Sequence, residues 1–273
     1  MFSVPGIFSL PNELLIQILS LVCNSQTRYH SLLLVNRRIH TLTKFEQLPH
    51  IPIRLNASSV ESFLEFIGND DNSSLVKHLW INGTSPTCMK IAGSCTNLVS
   101  LACSKVVLYS ICRPNPFLSV YDISHKALRE LTLFDNTDCW SFLSSIPYGR
   151  GKTLCQQITH LRLQEPLSDD FNPGSFTSLT HYSFSGNQIT LVKLIRDLAP
   201  IQKLPNLKHI VYTTYFWRDA PPDERTRVIS SVDERFRVIY FGPQLPGEFA
   251  LWCGSARQTD SLWTGVGTLK CLL

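Results

Sequence analysis

Ile158-Thr159-His160-Leu161-Arg162-Leu163 carries an apolar residue at its first, fourth and sixth places. The same frame recurs as Val76/Leu79/Ile81, Leu98/Leu101/Cys103, Leu128/Leu131/Leu133, Leu179/Tyr182/Phe184, Leu207/Ile210/Tyr212 and Phe236/Ile239/Phe241. First positions follow one another at steps of roughly 21 to 30 residues, which is the spacing of a repeat architecture. A weaker copy lies at Ile53 and Leu55. Side chains alternate along a strand, so the fourth and sixth positions share a face, while the first anchors the turn entering the strand. One strand cannot bury that face alone, but stacked copies make a continuous core. Two segments between frames keep helical spacing: Val60, Phe63, Leu64 and Ile67, then Leu191, Leu194, Ile195 and Leu198. The pattern predicts an α+β, solenoid-like α/β chain, with a curved sheet and helical or irregular returns over residues 48–251.

The third and fifth frame positions then face away from the core, onto a concave side. They are His78/Trp80, Ser100/Ala102, Glu130/Thr132, His160/Arg162, His181/Ser183, His209/Val211 and Val238/Tyr240. The candidate target-binding residues are therefore His78, Trp80, Glu130, His160, Arg162, His181, His209 and Tyr240. Trp80, Arg162 and Tyr240 lead, because Trp, Tyr and Arg dominate binding hot spots. Neighbouring strands would set His160 and His181 about 4.8 Å apart. Such a ladder reads as a stack of neutral imidazoles, a recognition surface that changes charge between roughly pH 5 and 8, or a metal site.

The N-terminus follows another rule. In Leu10-Pro11-Asn12-Glu13-Leu14-Leu15-Ile16-Gln17-Ile18-Leu19, Pro11 suits a helix start and Glu13 complements the dipole. Glu13, Gln17, Ser20 and Asn24 form one narrow polar stripe, and every other side of the helix is apolar. Packing on a single core needs an apolar arc only somewhat wider than ~100°, so this helix is read as touching a second body. Residues 25–44 read as two further short helices, with Leu32, Leu33 and Val35 in one and Ile39, Leu42 and Phe45 in the next. About 45 residues of short helices can hardly bury a self-sufficient core without a metal, disulfides or a partner. No cysteine cluster here offers the first two, so a partner is expected.

Leu10-Pro11, Glu13-Leu14-Leu15, Ile18-Leu19 and then Leu34-Val35-Asn36-Arg37-Arg38-Ile39 resemble an F-box. Where that family has Cys and Trp in the second run, this chain has Asn36 and Ile39. The resemblance implies a helical module over residues 1–47 that docks on a Skp-type adaptor and, through it, a cullin. The adaptor-binding residues it implies are Leu10, Pro11, Leu14, Leu15, Ile18, Leu19, Leu32, Val35 and Ile39. The repeats resemble the leucine-rich repeats that many F-box proteins carry, and the family's asparagine after the strand occurs as Asn136 and Asn187. The function implied is a substrate-recognition subunit of a Skp–cullin–F-box ubiquitin ligase with an unidentified protein target. The alternative is a leucine-rich-repeat scaffold whose helices merely cap the domain.

Composition narrows the rest. The chain has 273 residues, 44% of them hydrophobic, and a formal net charge of +4 with no Lys/Arg run that would suit nucleic acid. Its nine cysteines show no zinc spacing and suit buried thiols in a cytoplasmic or nuclear setting. No apolar run approaches the ~18 to 20 residues of a membrane span. Gly149-Arg150-Gly151-Lys152-Thr153 lacks the first glycine of a phosphate loop and is read as a solvated loop. Asp169-Asp170 reads as turn chemistry. No enzyme, cofactor or metal is expected. Residues 252–273, with Trp252 and Trp263, are expected to cap the open edge of the sheet.

Overall fold

The computed structural model describes residues 6–68, 72–113, 125–146, 150–165, 167–186, 191–215, 233–241, 247–256 and 262–263. Three helices open the chain: α1 (Asn12–Val22), α2 (Gln26–Leu33) and α3 (Arg37–Leu42), the last running into a wide turn over Thr43–Gln47. Ser25 accepts a hydrogen bond from the Arg28 amide and Asn36 accepts one from the Ile39 amide, so each begins a helix as an N-cap. Asn36, which departs from the F-box pattern, therefore has a local structural reason. The Arg38 guanidinium donates to the carbonyls of Phe8 and Leu10, 2.7 Å each, and to Asn12 Oδ1. That clamp fixes the chain entering α1.

The rest is α/β. One eight-stranded, all-parallel sheet lies in chain order: β1 (Ile53–Leu55), β2 (His78–Ile81), β3 (Ser100–Cys103), β4 (Glu130–Leu133), β5 (His160–Leu163), β6 (His181–Ser185), β7 (His209–Tyr215) and β8 (Phe236–Phe241). Parallel neighbours need crossovers, and here they contain α4 (Val60–Gly68), α5 (Pro86–Ser94), α6 (Lys105–Cys112), α7 (Cys139–Ser145), α8 (Arg150–Gln157) and α9 (Leu191–Gln202). Frame positions pair with frame positions: Leu79 with Leu101, Leu131 with Leu161, Tyr182 with Ile210. Those side chains and the crossover helices bury one continuous core on the first face of the sheet. Cys23 and Tyr29 from the N-terminal helices join that core, together with Leu48 and Ile51. Gln26 Oε1 accepts the Arg54 amide, a donor that β1 does not use towards β2.

Between repeats, turn carboxylates cap the preceding helix. Asp135 accepts the Lys105 amide at the start of α6, and Asp170 accepts the Trp140 and Ser141 amides of α7. Asn136 is buried and accepts the Ser168 amide from the next repeat. Asn187 lies outside the described residues.

Two expectations need correction. Phe236 was expected in the turn entering β8, with Val238 and Tyr240 facing away from the core. Instead Ile210 pairs with Phe236 and Thr213 with Ile239, a three-residue slip that exchanges the faces. Phe236, the bulkier apolar group, fills the core, and Ile239 turns to pack with Val211, Leu251 and Leu262. Position 240 pairs with Thr214, in phase with Phe236, although the Tyr240 side chain lies outside the described residues. The second correction is that residues 150–157 form α8 rather than a solvated loop, with Gly151 buried. A Cβ at Gly151 would stand 2.1 Å from the Leu143 carbonyl oxygen, so α7 and α8 approach closely only because that position has none. Gly151→Ala is expected to cost about 2–3 kcal/mol and at least about 5 °C of melting temperature, measured by thermal unfolding. In α9, Leu198 and Ile201 face the core while Ile195 is exposed, which narrows the expected stripe.

Candidate functional site

The N-terminal helices divide their apolar residues between two uses. Leu15, Leu19 and Ile39 are buried together, with Leu10, Leu32 and Leu42 partly buried around them. The expectation that Leu15, Leu19 and Ile39 meet a partner is thereby corrected: they are the module's own core. Ile18 is half-buried, and Pro11, Leu14 and Val35 are exposed. Sequence reasoning missed others. Ile7, Phe8, Leu21, Val22, Leu34 and Phe45 are also exposed, Leu21 at 79% and Leu34 at 87%. Isolated apolar surface residues are ordinary, but so many on one small module are not. Of the four Lys/Arg in residues 6–50, Arg28, Arg37 and Arg38 are exposed and Lys44 is buried; the two acidic side chains, Glu13 and Glu46, are exposed.

The second face of the sheet bears the expected alternate residues, yet it is not open. Helix α10 (Glu248–Ala256) and Leu262–Trp263 lie across it. Trp80 and Arg162 are buried, as is His78, while Glu130, His160, His181 and His209 are half-buried. The described part of the tail, residues 252–256 and 262–263, lies across a sheet face, and the rest of the expected edge cap lies outside the described residues. Trp80 packs against Phe134, Phe249 and Trp252 with ring centroids 4.9, 5.5 and 5.6 Å away. Arg162 is the polar hub. Its guanidinium donates to Ser183 Oγ at 2.6 Å, Ser185 Oγ at 3.0 Å and Thr213 Oγ1 at 3.2 Å. It also grips both carboxylate oxygens of Glu248, Nε to Oε2 at 2.8 Å and Nη2 to Oε1. Glu248 was missed because it sits 86 residues away and outside any frame. The only trace in the sequence is a helical spacing of apolar groups after an acid, Glu248, Phe249, Leu251 and Trp252.

The histidines stack as neutral rings. His160 and His181 lie 4.1 Å apart at 10°, His181 and His209 lie 4.8 Å apart, and Trp263 meets the first two edge-on. Burial, with His209 nearby, pulls His160 down to about 4. Burial, with His160, His209 and Lys208, pulls His181 to about 3. Burial, with His50 and Lys77, pulls His78 to about 4. These folded values lie below the unfolded one near 6.5, so the unfolded chain binds protons that the folded chain refuses. Stability is then full above pH ~6.5 and falls as pH drops towards the folded values. Glu130, raised by burial, offsets part of this. We expect the melting temperature to fall by about 10 °C between pH 7 and 4.5, and His181→Phe, which keeps the ring but cannot be protonated, to flatten that limb.

Cys103, Cys112, Cys139 and Cys155 are buried near one another behind the sheet, and burial pushes Cys139 and Cys155 up to about 12. They are thiols, not thiolates, at neutral pH. Among the described residues no group of three or more His, Cys, Asp or Glu side chains is arranged to hold a metal, and no helix is long and apolar enough to cross a membrane. Compared with known protein families, with curated proteins and with solved structures, the chain matches none.

Proposed function

We propose that this chain is a substrate-recognition subunit of a Skp–cullin–F-box type ubiquitin ligase. Its N-terminal helices bind the Skp-type adaptor, and its sheet, read as irregular leucine-rich repeats, holds a protein target in the cytoplasm or nucleus. The chain performs no chemistry in this reading. It raises the effective concentration of target lysines near the ubiquitin donor. One observation carries the proposal: the N-terminal helices spend Leu15, Leu19 and Ile39 on their own core and still leave Phe8, Leu14, Leu21, Leu34, Val35 and Phe45 exposed. The neighbouring sheet does not use that surplus. Exposed apolar groups, with Arg28 and Arg37 exposed on the same module, suit an apolar partner with acidic side chains.

The test is reconstitution. Purified chain and adaptor should form a stoichiometric complex at micromolar concentration, seen by size-exclusion chromatography with light scattering. A chain that stays monodisperse alone and ignores the adaptor would instead be a repeat scaffold with no ligase role.

A further inference from the structure

We propose that the sheet face around Arg162 is a recognition site for a helical segment carrying a carboxylate followed by aromatic residues, and that α10 is its tethered stand-in. The inference rests on the reading of the sheet as the target-holding part and names the chemistry of the target. Three features carry it. First, Arg162 is held by the chain without help from the tail. Ser183, Ser185 and Thr213, on the two strands that follow β5, each accept from the guanidinium, and Ser185 and Thr213 bond each other at 2.7 Å. The fork stays aimed when Glu248 leaves, so the site is preorganised for a bidentate carboxylate.

Second, the contacts of the tail form clusters of their own. Trp80, Ala102 and Trp252 make one, and Val211, Ile239, Leu251 and Leu262 another, both distinct from the main core. At the start of α10, Ala250 and Leu251 donate to the Gly247 carbonyl, and none of the seven strand pairs runs through the helix. Releasing the tail therefore leaves the crossover core and the strand ladder whole. Third, the exchange is chemically selective. A buried guanidinium stripped of its counter-charge is strongly destabilising, so an incoming segment must replace the carboxylate of Glu248 to compete. It must also replace the rings of Phe249 and Trp252 on Trp80. The seam between tail and sheet holds a void of only ≈ 20 Å³, bordered by Thr132, His160, Arg162, Glu248, Leu251 and Trp263, so the tail fills the face closely and a competitor must displace it.

The experiment uses the full chain and a fluorescent, acetylated and amidated peptide of residues 247–263. Wild-type chain should bind it weakly, because the tethered copy wins by effective concentration. Glu248→Arg should expel the tail and tighten peptide binding at least about tenfold. A peptide with Gln at the Glu248 position should lose at least about tenfold against that variant. Arg162→Glu combined with Glu248→Arg should pair again, close the face and abolish binding. A folded Glu248→Arg chain with no saturable binding at 100 µM (a concentration about a hundredfold above micromolar affinity) overturns the proposal. So does equal affinity for the Glu and Gln peptides. So does unfolding of Glu248→Arg, which would make the pair a fixed part of the fold. Adaptor capture scored on the same preparations separates this from a failure of the ligase reading, since the N-terminal helices do not touch α10 in any cluster described.

Discussion

Leu14→Asp should abolish adaptor binding while leaving the melting temperature of the chain unchanged, and Leu15→Ala should do the reverse of the second half. The two leucines are neighbours on α1, about 100° apart around the helix, and they have opposite fates. Leu14 is 45% exposed, whereas Leu15 is 1% exposed and packs with Leu19 and Ile39. An aspartate at position 14 sits in the first turn of α1, where the helix dipole favours negative charge, so the free chain tolerates it. In a complex the same carboxylate would be desolvated without a partner, and a buried apolar contact would be lost. Together these are worth at least about 3 kcal/mol, a loss of ~100-fold or more in affinity. Val35→Asp, 49% exposed at the far side of the α2–α3 junction, should act alike. Leu15→Ala opens a cavity in a small cluster and should cost about 2–5 kcal/mol of module stability. Its effect on binding would come through unfolding, so only the exposed positions distinguish docking from folding. Isothermal titration against the adaptor, with circular dichroism melts of each variant, reads both quantities. Unaltered affinity in Leu14→Asp would remove the ligase reading.

The physical basis of what could be read in advance is periodicity. Leu79, Leu101, Leu131 and Leu161 pair across adjacent strands because each copy of the frame must bury the same positions, and a two-residue alternation then dictates which residues face the other way. The failure at β8 follows from the same rule. Phe236, Val238, Ile239 and Phe241 satisfy the frame in two registers, and only the packing of Phe236 in the core and Ile239 under Leu251 and Leu262 decides between them. Gly151 was read as a loop residue because the Gly149–Thr153 run resembles a phosphate loop that lacks its first glycine. Here it permits two helices to touch, a reason visible only in three dimensions. The apolar surplus at the N-terminus was legible as a quantity. Its division into Leu15 inside and Leu14 outside was not, because that depends on where α3 lies. The occupant of the second face left the least trace. Arg162 and Glu248 meet across 86 residues through side chains alone, and a single long-range ion pair imposes no repeat on the sequence.

Trp80→Ala and Trp252→Ala should differ in size although the two rings touch. Trp80 belongs to β2, is 6% exposed and lies within 6 Å of three other aromatic rings. Its removal takes away packing on Phe134 and Ala102, which stay when α10 leaves, as well as packing on the tail, and should cost about 3 kcal/mol. Trp252 belongs to α10, which can leave the sheet without breaking a strand pair. A residue in a segment that detaches locally cannot cost the whole fold more than the free energy of docking that segment. Trp252→Ala should therefore lower global stability by a smaller amount, and adding Leu251→Ala should lower it little further once the tail is already free. Hydrogen exchange supplies the complementary reading. In Trp252→Ala the amides of α10 should lose protection while those of β4 and β5 keep theirs, because the core between those strands and the crossover helices is untouched. Fully additive losses from the two tail substitutions, with protection falling across the sheet, would mean that tail and sheet unfold as one unit. The face of Arg162 would then be a closed interior, not a site whose first ligand is its own chain.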